Sequence, residues 1–246
     1  SKIISKRGHS DVVIMSSYEI IDGDGKTIVR KKPCKPDVVS SFIKNNNISK
    51  NYDNPASHEV YDGNLIAKIL LSTSFTSAGA FLTTCYSKNL YDKVHGYSNI
   101  MSVLPDAHFS HKICLENPKV IYCDDVLFKY RVHDVNHSQH GAEVNTKILI
   151  DLFHISNSYG QDALARIDLT QSSLRERFIK FWCINMSLIS LVTGKIGKSV
   201  KFYLFGFVSY PQLMIKNLGS LFILLLLLFS PFFWMFSKTI RLFKNK

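Results

Sequence analysis

The sequence predicts an α/β protein: a mixed sheet with helices over residues 1–140, a helical region over 141–200, and a membrane-associating part over 201–246. Three observations predict it. Up to about residue 140, short β-branched runs alternate with helical spacings and with Gly, Asp and Pro turn signals. From Ala142 the apolar period is helical and stays so. Residues 217–237 are then 21 positions without a charge, Leu224 to Leu228 among them.

Asp11 to Ile28 reads as a hairpin. Val12-Val13-Ile14-Met15 opens it, and Asp22-Gly23-Asp24-Gly25 is turn chemistry, since Asp and Gly tolerate left-handed backbone. Residues 30–63, with Pro33, Pro36, Pro55 and the run Asn45-Asn46-Asn47, read as a long polar loop holding one short helix near Val38–Lys44. Leu65–Leu71 has helical spacing, and Ala80–Thr84 reads as a strand. Ser87–His95 reads as a short helix ended by Gly96, and Phe109–Leu115 as another. Val120–Tyr122 and Val126–Val132 read as two strands separated by a turn at Asp124-Asp125. Beyond Ala142, Val144, Ile148, Leu152 and Ile155 share one helix face. Leu174, Phe178, Phe181, Trp182 and Ile189 continue the pattern in a later helix. Residues 202–215 are uncharged but number only 14, too short to span a bilayer, and read as an interfacial or re-entrant helix. The run at 217–237 is long enough to span, although Pro231 leaves a dip into one leaflet equally open.

The net charge of +11 is unevenly placed. Residues 1–176 hold 20 basic against 19 acidic side chains, whereas Arg177 to Lys246 hold ten basic and no acidic ones. A basic excess confined to the greasy tail points to anionic lipid head groups and away from nucleic acid. The five cysteines have no CxxC spacing and an odd count, which argues against a disulfide framework or a zinc ribbon and fits a reducing cytoplasm.

Four pieces occur in order: DVVIMSSYEIIDGDGKTI, SAGAFLTTCYSKNLYDKVHGY, SVLPDAHFSHKI and IYCDDVLFKYRVHDVNHS. Over roughly residues 10–140 they resemble the second half of a family 2 glycosyltransferase of the GT-A fold. The resemblance implies a partial GT-A domain, a Rossmann-like mixed sheet, followed by helices and a hydrophobic membrane helix. It implies transfer of a sugar from a nucleotide-sugar donor to a lipid-linked or polysaccharide acceptor, in cell-surface glycan synthesis at the cytoplasmic face of the cell membrane.

Site residues follow from the matching positions. The family places a carboxylate at the start of a helix to deprotonate the acceptor hydroxyl, and Asp106 holds that position; Pro105 replaces the first member of the usual acidic pair. Read without the family, Asp106 is a helix N-cap. His133 matches a histidine that helps bind the metal on the donor diphosphate, with Arg131 beside it; both also suit an ordinary polar strand. Gly79 and Gly96 match glycines near the donor and acceptor clefts. The expected cofactor is Mn²⁺ or Mg²⁺, held mostly by an Asp-x-Asp motif in nucleotide-binding strands that are expected to precede Ser1. Asp22-Gly23-Asp24 has that spelling, but too few residues precede it to form a nucleotide-binding unit, so it reads as the hairpin turn. Lacking that half, the 246-residue chain is not expected to turn over by itself.

Two rival readings stay open. One is a non-catalytic membrane-attached remnant or docking subunit, presenting an unpaired sheet edge. The other is a metal-binding module using His133, His137 and His140, which would line one face if that segment were helical.

Overall fold

The computed structural model describes residues 11–48, 51–52, 58–73, 75–132 and 141–228. They fall in two compact units, Ser1–Gln171 and Ser172–Lys246. The first unit carries strands β1 (Val12–Ile21), β2 (Thr27–Lys32), β3 (Asn51–Tyr52), β4 (His58–Asp62), β5 (Thr84–Tyr86) and β6 (Lys119–Arg131). The sheet runs β2-β1-β6-β4-β3, with β5 also pairing with β1. β1 and β6 are parallel and form its long centre, while β2, β4 and β5 pair antiparallel. β5 takes the Val13–Met15 end of β1 and β2 takes the Tyr18–Ile21 end. The predicted mixed α/β architecture is therefore present.

The hairpin between β1 and β2 forms as predicted. Asp22 Oδ1 accepts the backbone N–H of Asp24 at 3.0 Å and of Lys26 at 2.8 Å. Gly25 supplies the positive φ, +87°. Asp22 is thus committed to the turn.

The helices of the first unit are α1 (Asp37–Asn45), α2 (Gly63–Ser72), α3 (Lys88–Lys93), α4 (Pro105–Leu115), α5 (Gly141–Ile155) and α6 (Gln161–Ala165). α2 is its central helix: Ile66, Ala67, Ile69, Leu70 and Leu71 are all fully buried. Gly63 opens it against the end of α4. A Cβ there would lie 2.6 Å from the Cys114 carbonyl oxygen and 2.6 Å from Pro118 Cδ. Gly63→Ala is expected to destabilise the fold by about 1–3 kcal/mol, because backbone must move to admit the methyl; a urea melt measures this.

α3 is shorter than the sequence spacing suggests. Ser87 Oγ caps it by accepting Leu90 N–H at 3.1 Å. His95 N–H then bonds the Asp92 carbonyl and Gly96 N–H the Tyr91 carbonyl, the paired bonds of a Schellman ending.

Two local expectations are corrected. Ala80–Thr84 is not a strand: Phe81–Thr83 is a 3₁₀ turn, and only Thr84–Tyr86 pairs in the sheet. The Thr83 and Thr84 hydroxyls both donate to the Ala80 carbonyl, competing with a ladder. Nor is Asp124-Asp125 a turn. β6 runs through it as one strand of 13 residues, with Ser16 opposite Cys123 and Ser17 opposite Val126. The two aspartates are a bulge.

The second unit contains α7 (Gln171–Arg177, starting at the boundary), a π-helical stretch Phe178–Asn185, α8 (Met186–Val192), α9 (Ile196–Ser209), α10 (Pro211–Lys216) and helix over 218–228. In the π stretch the i→i+5 pattern replaces i→i+4. Phe178 and Cys183 are buried five apart, as are Ile179 and Ile184. That phase shift turns Phe181 and Ile189 outward, to 40% and 54% exposure, against the single face expected for them. The expected interfacial helix over 202–215 is broken between α9 and α10 at Tyr210-Pro211, where proline cannot continue the ladder.

Among the described residues no helix is long and apolar enough to cross a membrane. Of the run 217–237, the described part is helical over 218–228, about 16 Å of rise. Residues 229–237 lie outside the described residues.

Candidate active site

Asp106 stands in the first turn of α4, but it is not the cap. Leu104 occupies the N-cap position without a side-chain cap bond, and Pro105 follows. The carboxylate that organises this terminus comes from α5. Asp151 is fully buried and accepts N–H groups from Ser102 at 3.0 Å, Val103 at 2.6 Å and Leu104 at 2.8 Å. Asp106 is therefore not the N-cap, and its carboxyl meets only the N–H groups of its own turn.

Asp106 lines a cavity of about 20 Å³ together with Val13, Met15, Gly79, Tyr86, Tyr97 and Phe109, among others. Burial raises its carboxyl above the usual range, opposed by backbone N–H groups of its own turn. The wall beside it is aromatic. Tyr97 stacks on Phe109 with ring centres 4.1 Å apart, and Tyr86 meets the same ring at 5.0 Å. Burial, the Tyr86 hydroxyl and the Asp106 charge all push the Tyr97 phenol up, so it stays protonated. On the opposite wall Gly79 admits Met15: a Cβ at Gly79 would lie 2.5 Å from its sulfur. A carboxylate whose affinity for a proton is raised by burial, beside a protonated phenol, can accept a proton from a bound hydroxyl. The space takes about one water molecule.

The other residues singled out in the sequence are placed differently. Gly96 does not line this cavity. It closes α3 with φ +62°, and its carbonyl accepts Lys112 Nζ at 3.2 Å. A side chain there would strike the Tyr91 hydroxyl at 2.5 Å, so Gly96 supports the aromatic wall. Arg131 ends β6 opposite Ile21, and its Nη1 donates to the Gly23 carbonyl in the hairpin turn at 2.7 Å. The cavity meets β1 at Val13 and Met15, six to eight residues back, or about 20–26 Å along a strand. Arg131 and Asp106 are therefore not brought together. His133, His137 and His140 lie outside the described residues.

Sequence reasoning missed the buried polar groups around α4. His111 is fully buried: Nε2 donates to the Thr76 carbonyl at 2.7 Å, which makes Nδ1 the acceptor from the Tyr159 hydroxyl at 2.8 Å. His108 is buried with both ring nitrogens unpartnered. Burial holds both imidazoles down at about 4. Asp151 was signalled by an acid inside the apolar run Leu149-Ile150-Asp151-Leu152-Phe153, a placement that costs energy unless the carboxylate is bonded.

A larger cavity, about 360 Å³, lies elsewhere in the same unit between Cys34, Lys35, Glu59, Tyr122 and Asp124. Lys35 pairs with Glu59, which also accepts the Tyr61 hydroxyl at 2.8 Å. The Cys34 thiol donates to the Met15 carbonyl at 3.4 Å and is pushed up to about 11 by burial, so it is not a thiolate nucleophile. Among the described residues, the metal-ligand side chains that gather are His58, Cys123 and Asp125.

Compared with known proteins, the chain matches no family model, no curated protein and no solved structure.

Proposed function

We propose that this chain is the acceptor-side part of a membrane-attached family 2 glycosyltransferase, with Asp106 as the base that deprotonates the acceptor hydroxyl. The observation that carries this reading is the meeting of Gly79 and Asp106. They come from separate motifs, Gly79 from the loop before the Phe81–Thr83 turn and Asp106 from α4, yet they line one cavity. The raised carboxyl supports the same role. In this reading the nucleotide-sugar and its Mn²⁺ or Mg²⁺ are held by a nucleotide-binding part N-terminal to β1, with His133 and Arg131 on the diphosphate side. The test is Asp106→Asn in the full gene product, assayed for sugar transfer to a lipid-linked acceptor. Transfer is expected to fall about a hundred-fold or more at unchanged melting temperature. Unchanged transfer would remove the base assignment.

The second unit supports attachment to the cytoplasmic face of the membrane. Val192, Val208, Leu218 and Leu228 stand out at 62–82% exposure. The segment from Arg177 onward has ten basic side chains and no acidic one. Apolar side chains with a basic surround suit a lipid surface rich in anionic head groups. The protein is expected to float with vesicles containing phosphatidylglycerol and to bind less as salt rises. Val208→Asp with Leu218→Asp is expected to reduce flotation at least about ten-fold.

A second reading, a non-catalytic docking subunit, is favoured by the size of the cavity, which takes one water and no sugar ring. Loss of transfer in Asp106→Asn with a correctly folded chain counts against it.

A further inference from the structure

We propose that His58, Cys123 and Asp125 form a zinc-binding site where β4 meets β6. The three residues reach one another through strand pairing and a bulge. His58 lies directly opposite Cys123 in the antiparallel ladder, so their side chains share one face of the sheet. Asp125 would ordinarily sit two residues along the same strand. The bulge at Asp124-Asp125 instead carries it back, and the Cys123 thiol donates to Asp125 Oδ2 at 3.5 Å. Bulges re-aim side chains in this way.

A second observation points to a ligand. His58 Nδ1 is buried and has no hydrogen-bond partner. An unpaired buried ring nitrogen costs stability, and a metal bond would satisfy it. The three donor atoms all lie within 4.8 Å of one another. On tetrahedral zinc, with bonds of about 2.0–2.3 Å, ligand atoms stand about 3.3–3.8 Å apart, so the group closes by about 1.5 Å or less.

The donor set selects the ion. One imidazole, one thiolate and one carboxylate suit Zn²⁺ and its softer neighbours, whereas Mg²⁺ and Mn²⁺ prefer oxygen. On binding, the Cys123 thiol releases its proton to solvent and the sulfur takes up the Zn–S bond. Three protein ligands leave a fourth position for water, and Asp125, the exposed member, marks the solvent side. The site shares no residue with the Asp106 cavity, so its test does not depend on sugar transfer.

The test is titration of the metal-stripped full chain with Zn²⁺ by calorimetry, and with Co²⁺ by absorbance. The expected result is one zinc per chain, displacing Co²⁺ whose spectrum carries a thiolate charge-transfer band. Cys123→Ser is expected to abolish the band, while Cys34→Ser and Cys85→Ser keep it. His58→Gln and Asp125→Asn are each expected to weaken zinc at least about ten-fold. Asp125 is exposed, so Asp125→Asn reports even if Cys123→Ser fails to fold. Absence of stoichiometric zinc, or affinity unchanged in both His58→Gln and Asp125→Asn, would overturn the proposal. So would a thiolate band that persists in a folded Cys123→Ser variant; that result would place the metal on another cysteine.

Discussion

Asp151→Ala is expected to lower the unfolding free energy by about 3–5 kcal/mol, measured by urea denaturation at pH 7. The Asp151 side chain has no exposure to water, and its carboxylate is the shared acceptor for three successive backbone N–H groups, those of Ser102, Val103 and Leu104. Truncation leaves those part-buried donors near the start of α4 with no replacement from Leu104 or Pro105. Each unsatisfied donor costs about 1–3 kcal/mol. Asp151→Asn keeps one accepting oxygen but turns an N–H₂ toward the other donors, so it is expected to fall between wild type and Ala. The same loss loosens the turn that presents Asp106, so any activity that needs Asp106 declines with it. A loss below about 1 kcal/mol would mean that water replaces the carboxylate in this turn.

Acid is expected to unfold the protein through His108 and His111. Both are held at about 4, chiefly by burial, whereas a free imidazole titrates near 6.5. The Lys112 and His154 charges add to the depression of His108, and Asp151 opposes it. As pH falls from 6.5 to 4, the unfolded chain takes up protons that the folded one refuses. Stability therefore drops by about 1.4 kcal/mol per pH unit for each histidine. Above pH 6.5 both states are neutral and neither residue adds a slope. Asp106 works the other way: its raised carboxyl gains a proton in the folded state first, which offsets part of the loss at the acid end.

The two histidines are separable by substitution. His108→Phe removes two orphaned nitrogens and is expected to hold or raise stability at pH 7 while removing about half of the acid slope. His111→Phe also flattens the slope. At pH 7 it is expected to cost about 1–3 kcal/mol, because the Thr76 carbonyl and the Tyr159 hydroxyl lose their partner. Melting temperatures of the three proteins between pH 4 and pH 8 decide this. Equal slopes in all three would mean that neither imidazole stays neutral in the fold.

Much of the first unit was legible in the sequence because its signals are local. The Asp22-Gly23-Asp24-Gly25 turn, the short helix ended at Gly96 and the α2 core helix each rest on residues within a few positions of one another. The alternation of such segments was enough for a mixed α/β protein followed by helices. The charge split at Arg177 was likewise readable from order alone.

What the tertiary structure decided depends on partners distant in sequence. Asp124-Asp125 carries a turn signal, yet β6 continues because β1 offers a parallel ladder on both sides of it, from Lys119 to Arg131. Asp106 looks like a cap until Asp151, on another helix, takes the N–H groups before it. Phe181 and Ile189 share the apolar phase of an α-helix until one π stretch moves them to the surface. His58, Cys123 and Asp125 have no motif spacing at all, and strand register brings them together. Turns, caps and helical faces are local and can be read along the chain. Ladders, buried hydrogen bonds and ligand clusters form only when closing a long loop is repaid by pairing and burial, so no window of the sequence contains them.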